Sequence, residues 1–289
     1  MKILVTGANG FLGTHVLRAL EKKHEVTGLV RRETRPGESR MVVFRDTDDP
    51  VIENEISRAE VVLHIASQLH GPYREMYAAN VSFTKKLVDL ALKHGCARFI
   101  YISSENVTQG NSDIYSTTKM LAEKEAERFP GALILRPTVI YGPGDEKYVG
   151  RLAGIIAKYP FVPVLGDGKA KFQFIYVEDI VHILENAIEK HITGTWTIAG
   201  PESISYDQFM QVLMEAMKKK KRLLHVPLWL LRPLSHAFNL IFRDPPLTPS
   251  QIDNLSKDRA YDISGILKQF SYSPTYLRTG LQKMLENIA

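Results

Sequence analysis

Tyr115 and Lys119 stand four residues apart in the segment Tyr115-Ser116-Thr117-Thr118-Lys119, a spacing that sets a phenol and an ammonium on one face of a helix. A free phenol has a pKa of about 10, too high for proton transfer at ambient pH, and an adjacent cation favours its ionised form. The pair is therefore a candidate proton-transfer device. A solvated tyrosine beside a surface lysine would use the same two residues and do nothing. A second candidate opens the chain. Thr6-Gly7-Ala8-Asn9-Gly10-Phe11-Leu12-Gly13 follows the apolar run Ile3 to Val5 and precedes Val16, Leu17 and Leu20, so its glycines sit where a strand turns into a helix. Such a turn suits a pyrophosphate: the backbone can approach the phosphates closely, and the N–H groups and dipole of the helix receive their charge. Glycine-rich loops also mark turns that bind nothing, so this signal does not stand alone.

The elements needed to position these residues can be read from the pattern of apolar runs. Strands are expected near Lys2 to Thr6, Glu25 to Val30, Met41 to Phe44, Val61 to Ala66, Ala97 to Ser103 and Ala132 to Arg136, with helical segments between most of them. That alternation predicts an α/β fold built on a doubly wound parallel sheet. Punctuation at Pro143-Gly144, Gly166-Asp167-Gly168 and Gly200-Pro201 marks where the chain leaves and re-enters this core. The expected organisation is a nucleotide-binding domain of residues 1–144 and 174–199 and a smaller, discontinuous α/β substrate domain of residues 145–173 and 200–289.

The order of further segments resembles the extended short-chain dehydrogenase/reductase family, the NAD(P)-dependent epimerase/dehydratase superfamily, along nearly the whole chain. Val61-Val62-Leu63-His64-Ile65-Ala66 is similar to the family's fourth strand, and Asn80-Val81 to its helix asparagine. Tyr101-Ile102-Ser103-Ser104 resembles the fifth strand with the catalytic serine. Leu135-Arg136-Pro137-Thr138-Val139-Ile140-Tyr141-Gly142-Pro143-Gly144 resembles the segment along the nicotinamide, and Phe174-Ile175-Tyr176-Val177-Glu178-Asp179 a later strand-to-helix motif. The resemblance implies a Rossmann-type fold and hydride transfer at a carbon bearing a hydroxyl or carbonyl. Tyr115 would exchange the hydroxyl proton, Lys119 would hold the nicotinamide ribose, and Ser104 would hydrogen-bond the substrate oxygen, with Ser103 as the neighbouring candidate. It also implies cofactor contacts from Gly7, Asn9, Gly10, Phe11, Leu12 and Gly13 at the first turn. Ile65, Ala66 and Ser67 at the end of the fourth strand, Asn80, and Pro137, Thr138 and Val139 along the nicotinamide would complete them.

Cofactor choice turns on the end of the second strand. Family members using NAD often place a carboxylate there, whereas this chain reads Leu29-Val30-Arg31-Arg32. Arg31 and Arg32 suit the additional phosphate of NADP, which is the expected cofactor. Asp46, followed by Thr47, resembles the family's adenine-contacting aspartate without its usual preceding glycine. For the substrate, nucleotide-sugar enzymes often carry an arginine where this chain has Lys171-Phe172-Gln173, and dehydratases carry an Asp-Glu pair where it has Glu105-Asn106. Dehydration is therefore disfavoured. The 171–179 stretch looks like that of atypical members that hold NADP(H) without evident turnover. The expected function is an epimerase or oxidoreductase acting on a nucleotide-sugar-like substrate. The alternatives are a reductase or dehydrogenase of an apolar alcohol or ketone, such as a steroid-like compound, and a non-catalytic NADP(H) holder, against which the intact triad argues.

Composition bounds the remaining classes. The chain has 289 residues, 44% hydrophobic and 24% charged, enough for a sizeable core. One cysteine, Cys96, excludes an internal disulfide and suggests a reducing, cytoplasmic setting, and no metal site is expected. The first strand is expected to start at Lys2, so no signal peptide is expected, and no apolar run reaches the roughly 18 residues of a membrane span. The formal charge is +5, much of it in Lys218-Lys219-Lys220-Lys221-Arg222. This run reads as a solvated helix end, and without interleaved aromatics it predicts no nucleic-acid binding. Next to it, residues 227–242 are strongly apolar and are expected to pack as a helix over the substrate pocket; peripheral membrane contact through 218–242 is the alternative. A small-molecule substrate is the expected partner. A homodimer is also expected, with the apolar positions between Phe83 and Leu92 explained equally well by core packing.

Overall fold

The computed structural model describes residues 1–32, 40–110, 113–230, 233 and 257–286. They divide into two compact units, residues 1–137 with 181–197 and residues 138–180 with 198–286.

The first unit is built on a seven-stranded sheet. Its strands are β1 (Lys2–Thr6), β2 (Glu25–Val30), β3 (Arg40–Val43), β4 (Val61–His64), β5 (Arg98–Ile102), β6 (Leu133–Pro137) and, after the second unit has been traversed, a late strand Gly194–Ile198. The spatial order is late strand, β6, β5, β4, β1, β2, β3, and the pairings that join β3 through β6 are parallel. The order reverses between β1 and β4, the point at which open α/β sheets bind ligands beyond their strand ends. Helices α1 (Phe11–Leu20), α2 (Pro50–Ile56), α3 (Tyr73–Tyr77), α4 (Phe83–Lys93) and α5 (Ile114–Ala126) connect the strands. This is the expected doubly wound sheet. β3 starts one residue earlier than its apolar run suggested, and β4 stops at His64. Phe83, Leu87, Val88, Leu90 and Ala91 are buried in the unit's own core, so core packing accounts for most of the apolar face of α4.

A polar chain runs through this apolar unit. Its centre is His64, fully buried at the end of β4 among the rings of Phe83, Phe99 and Tyr101 at 5.6, 6.4 and 5.3 Å. Its Nδ1 lies 2.6 Å from Thr6 Oγ1 on β1 and its Nε2 lies 2.9 Å from Thr84 Oγ1 on α4. Proton counting fixes the tautomer. Thr84 gives its one hydroxyl proton to the Asn80 carbonyl at 2.5 Å, so Nε2–H must donate to Thr84. In the neutral ring Nδ1 then accepts from the Thr6 hydroxyl, whose oxygen receives the Ala66 N–H at 3.2 Å. Asn80 extends the chain. It sits in a π-helical turn, Ala78–Ser82, between α3 and α4. Its Oδ1 accepts from Gln68 N–H at 2.7 Å and Ser67 Oγ at 3.3 Å, and its Nδ2 donates to Gln68 O and to Thr118 Oγ1, both at 3.0 Å. Thr118 Oγ1 in turn donates to the Tyr115 carbonyl at 3.0 Å. The wide π-helical turn lets one side chain reach both the β4 loop and α5.

The second unit contains β7 (Val139–Tyr141), α6 (Val149–Lys158), β8 (Phe161–Leu165), β9 (Lys171–Tyr176) and the start of α7 (Val177–Glu189), whose end belongs to the first unit. The strand Gly194–Ile198 is β10; β11 (Ser203–Ser205), α8 (Tyr206–Ala216), β12 (Arg222–Val226), α9 (Ser264–Phe270) and α10 (Leu277–Glu286) follow. β9 pairs with β7 in parallel and with β11 antiparallel, while β8 and β12 form a parallel pair of their own. β7 and β9, paired with each other, both lie in this unit, which begins at residue 138 and whose first segment ends at 180. A core of Tyr141, Phe172, Phe174, Phe209, Leu213 and Leu281 fills the unit. The start of α10 is held by two carboxylates: Asp179 accepts from Thr275 N–H at 2.9 Å and Thr275 Oγ1 at 2.7 Å, and Glu202 from Leu277 N–H at 2.6 Å.

Burial pushes the His64 pKa down to about 3, with the charge of Lys119 adding to the effect. An unfolded histidine takes its proton near 6.5, so between these values the unfolded chain binds more protons and stability falls as the pH drops. Urea unfolding across this window should show one proton's worth of pH dependence in the natural chain that His64→Gln lacks. Parallel pH profiles for the two would remove His64 as the responsible group.

Candidate active site

The glycine-rich turn forms at the end of β1 because two of its positions admit no side chain. Gly7 has φ 71°, and a Cβ there would lie 2.7 Å from Ala66 N; at Gly13 a Cβ would lie 2.2 Å from Gly7 O. Helix α1 is thereby drawn onto the turn, which Gly10 N–H closes on Gly7 O at 3.0 Å. No side chain caps α1 and its first turn holds no acid, so the positive end of the helix is uncompensated. Asn9 and Gly10 are exposed, Leu12 is buried, and Phe11 stands edge-on to His15 at 5.6 Å. A cradle that a Cβ would fill, under an open helix terminus, fits a dinucleotide pyrophosphate. Ile65 and Ala66 are half-buried beside it, and Ser67 joins it to Asn80. Arg31 and Arg32 are exposed immediately after β2. Asp46 is exposed after β3 and accepts from Asp48 N–H at 2.9 Å; Thr47 next to it is half-buried.

At the end of β5, Ser103 N–H donates to Leu135 O at 2.7 Å, while its hydroxyl oxygen is buried without a hydrogen-bond partner. Such an orphaned group suits a site completed by a ligand. Ser104 is buried and caps the short helical turn Glu105–Thr108, accepting from Asn106 N–H at 3.3 Å. Helix α5 is started by Asp113, which accepts from Ser116 N–H at 3.0 Å and Ser116 Oγ at 2.7 Å. That cap sets Tyr115, half-buried, in the first turn and Lys119 one turn later. Lys119 is 1% exposed; its Nζ donates to Ile102 O at 2.6 Å and lies 4.3 Å above the Tyr101 ring. Burial lowers its pKa to about 7, against the charge of Glu123 one further turn along. Glu123 is itself buried and held by Arg136 on β6 through a two-pronged ion pair, 2.9 and 2.5 Å.

The first unit thus brings together the glycine turn, Ile65 to Ser67, Asn80, Ser103, Ser104, Tyr115 and Lys119 along the ends of β1, β4 and β5. Pro137 closes β6, whereas Thr138 and Val139 belong to the second unit, where Thr138 Oγ1 is also buried without a partner. Residues that the motifs did not single out are Thr6, His64, Thr84, Thr118, Glu123 and Arg136. The one signal in their favour was a histidine ending an otherwise apolar strand. Among the described residues no cluster of three metal-binding side chains occurs.

In the second unit, the stretch where a diphosphate-contacting arginine was sought reads Lys171-Phe172-Gln173; its Phe172 packs with Tyr206 at 5.7 Å and Phe174 at 6.3 Å. Gln173 beside it is committed to the backbone: its amide donates to Gly200 O at 2.6 Å and Tyr261 O at 3.2 Å and accepts from Tyr261 N–H at 2.7 Å. The Arg259 guanidinium lies over the Phe172 ring at 5.7 Å.

The 3beta-hydroxysteroid-dehydrogenase/decarboxylase isoform 1 of Arabidopsis thaliana is 26% identical over 350 residues, covering 99% of this chain and 79% of that protein. The ceramide reductase of Caulobacter vibrioides is 30% identical over 241 residues, 78% of this chain and 73% of that one. Among solved structures, a UDP-glucuronic acid 4-epimerase of Bacillus cereus in complex with NAD superposes with a TM-score of 0.81 at 22% identity, covering 100% of this chain and 98% of that one. The model of the NAD dependent epimerase/dehydratase family matches residues 3–199, and the chain belongs to that family as an NAD(P)-dependent enzyme of the extended short-chain dehydrogenase/reductase type.

Proposed function

We propose that the chain is an NADP(H)-dependent oxidoreductase acting on a hydroxyl or carbonyl carbon of an apolar substrate, with Ser104, Tyr115 and Lys119 as its catalytic residues. The observation that carries the reading is the buried Lys119 one turn from Tyr115 on a capped helix, beside the end of β5. When bound, the nicotinamide supplies the hydride or takes it up. Tyr115 exchanges the proton of the substrate oxygen. Lys119, with a pKa of about 7, is poised to be charged or neutral near ambient pH, and its cationic form helps Tyr115 release that proton. Ser104 has its hydroxyl proton left to donate to the substrate oxygen, because in its helical turn the oxygen serves as an acceptor. The glycine turn would hold the pyrophosphate and Arg31 with Arg32 the additional phosphate of NADP, as exposed guanidinium groups at the strand end that passes the adenosine ribose in this fold.

Two observations favour an apolar substrate over the nucleotide sugar that the motifs first suggested. The window in which a diphosphate-binding arginine was sought holds none: Phe172 lies within an aromatic cluster and Gln173 is spent on the backbone. The relatives also include a sterol-type dehydrogenase, a ceramide reductase and a 2-alkyl-3-oxoalkanoate reductase of Stenotrophomonas maltophilia. A second reading, a nucleotide-sugar epimerase, draws on Arg259, whose guanidinium lies over Phe172, and on similarity to a UDP-glucose 4-epimerase of Vibrio cholerae. Melting curves of the NADPH-bound protein separate the two. A nucleotide at about a hundred times its dissociation constant stabilises by roughly 2.7 kcal/mol. UDP, dTDP and GDP are expected to leave the melting temperature unchanged, and a clear rise would transfer the assignment to the epimerase.

Tyr115→Phe should bind NADPH as before and lose turnover of apolar ketones by about 10²–10⁴-fold. Turnover equal to that of the natural chain would end this assignment of roles. Replacing Arg31 and Arg32 together by alanine should weaken NADPH binding about tenfold relative to NADH in calorimetric titrations. An unchanged ratio of the two affinities would show that these arginines do not select the cofactor.

A further inference from the structure

The outer face of the β8–β12 pair joins an exposed apolar surface to the most basic stretch of the chain. In β8, Val162 and Val164 are buried while Phe161 and Pro163 are exposed. The register sets Arg222 opposite Phe161 and Leu224 opposite Pro163, and residues opposite one another share a face. Phe161 and Leu224, each 51% exposed, therefore stand on one outward surface with Arg222 at its edge. On the other side of β12, Leu223 packs on the core and the exposed His225 pairs with Asp207 at 2.9 Å.

The chain on either side of β12 carries further exposed apolar and basic residues. After it, Leu228 turns in against Gly166, where a Cβ would come within 3.3 Å of its side chain, and Leu230 N–H closes a turn on Pro227 O at 3.1 Å. The same turn leaves Trp229 and Leu230 pointing out, 74% and 50% exposed. Before it, α8 stops at Ala216, and Lys218, in the left-handed conformation at φ 54°, sends the chain away. The cations stand at the helix end, as expected, where Lys218 N–H donates to Glu215 O and Lys219 N–H to Met214 O, both at 2.9 Å, and the run continues as the connection into β12. No acidic residue occurs from Met217 to Leu230. Two nearby acids are already paired, Glu215 with Arg278 and Asp207 with His225.

We propose that this face docks on an anionic lipid bilayer, with Trp229, Leu230, Leu224 and Phe161 entering the headgroup boundary and Lys218 to Arg222 meeting the lipid charges. A bilayer surface rewards both halves of the patch at once, since indole and leucine side chains enter the boundary while lysines reach the headgroups. A nucleic acid would reward the cations and leave the leucines without a counterpart. The inference does not depend on which substrate the enzyme takes.

The sequence has two tryptophans, Trp196 and Trp229, so Trp196→Phe leaves Trp229 as the sole indole reporter. Titrated with vesicles of phosphatidylcholine plus phosphatidylserine, this variant should show blue-shifted emission and sediment with the vesicles; with phosphatidylcholine alone it should do neither. Each lysine near an anionic surface strengthens attachment about fivefold, so Lys219→Glu with Lys220→Glu should lower the partition by about 25-fold or more. Trp229→Ser with Leu230→Ser should lower it while leaving NADPH binding and the melting temperature unchanged. Equal partition into both vesicle types, no partition, or sedimentation without a shift in Trp229 emission would each overturn the proposal. Sedimentation of the natural chain supplies the same comparison should Trp196→Phe fold poorly.

Discussion

The chain of hydrogen bonds from Thr6 through His64, Thr84 and Asn80 to Thr118 constrains everything that the first unit does. It starts at the residue preceding the glycine turn and ends on the backbone carbonyl of Tyr115. Each proton in it is assigned, and its long-range links join β1 to β4, β4 to α4, and the π-helical turn to α5. In a buried setting such a network is costly to break, because a member left without its partner pays its full desolvation penalty. A fully satisfied network therefore sets strand ends and helix positions more sharply than apolar packing alone, which tolerates sliding. The neutral imidazole is required by this logic. An imidazolium would turn Nδ1 into a donor and take from the Thr6 hydroxyl proton the acceptor it has in this chain.

Lys119 sits beside that network and makes a different compromise. Its ammonium is almost completely withdrawn from water, which disfavours charge, yet it retains a carbonyl acceptor, an aromatic face and the carboxylate of Glu123 nearby. Glu123 is a buried acid held in place by Arg136, so α5 is tied to β6 through the ion pair as well as to the π-helical turn through Thr118. Removing one partner of such a pair would leave an uncompensated buried charge. The helix that carries Tyr115 and Lys119 is fixed on two sides, and the residues that fix it do not themselves belong to the proposed triad.

Much of this was legible in the sequence where the requirement is local. Gly7 and Gly13 are demanded by a close approach within a few residues, and the Tyr115–Lys119 spacing is a property of a single helix turn. The parallel sheet followed from alternating apolar runs, with β3 displaced by one residue. His64, Thr84 and Thr118 were not legible because their partners lie 58, 20 and 38 residues away, and a threonine in a helix carries no mark of such a bond. The basic run 218–222 does begin at a helix end, directly after the cap of α8, but charge alone did not reveal that it continues into β12. Of the apolar segment 227–242, expected over the substrate pocket, residues 227–230 and 233 are described; Trp229 and Leu230 are exposed, and the remainder lies outside the described residues.

The same contrast explains why the cofactor is easier to read than the substrate. Holding a pyrophosphate asks for a strand end, a tight turn and a helix start, which one short segment supplies. In the second unit the informative contacts join residues far apart: Phe172 with Arg259, Gln173 with Tyr261, Asp179 with Thr275. Each depends on the C-terminal segment returning to β9 or α7, so no motif around residue 172 can report it. An arginine missing from the strand can be offset by one delivered from 259, and a motif comparison confined to 171–179 registers only the loss. In the function proposed above, the choice between an apolar substrate and a nucleotide sugar therefore rests on the aromatic cluster and the guanidinium above it, pairings between distant segments, rather than on the motif.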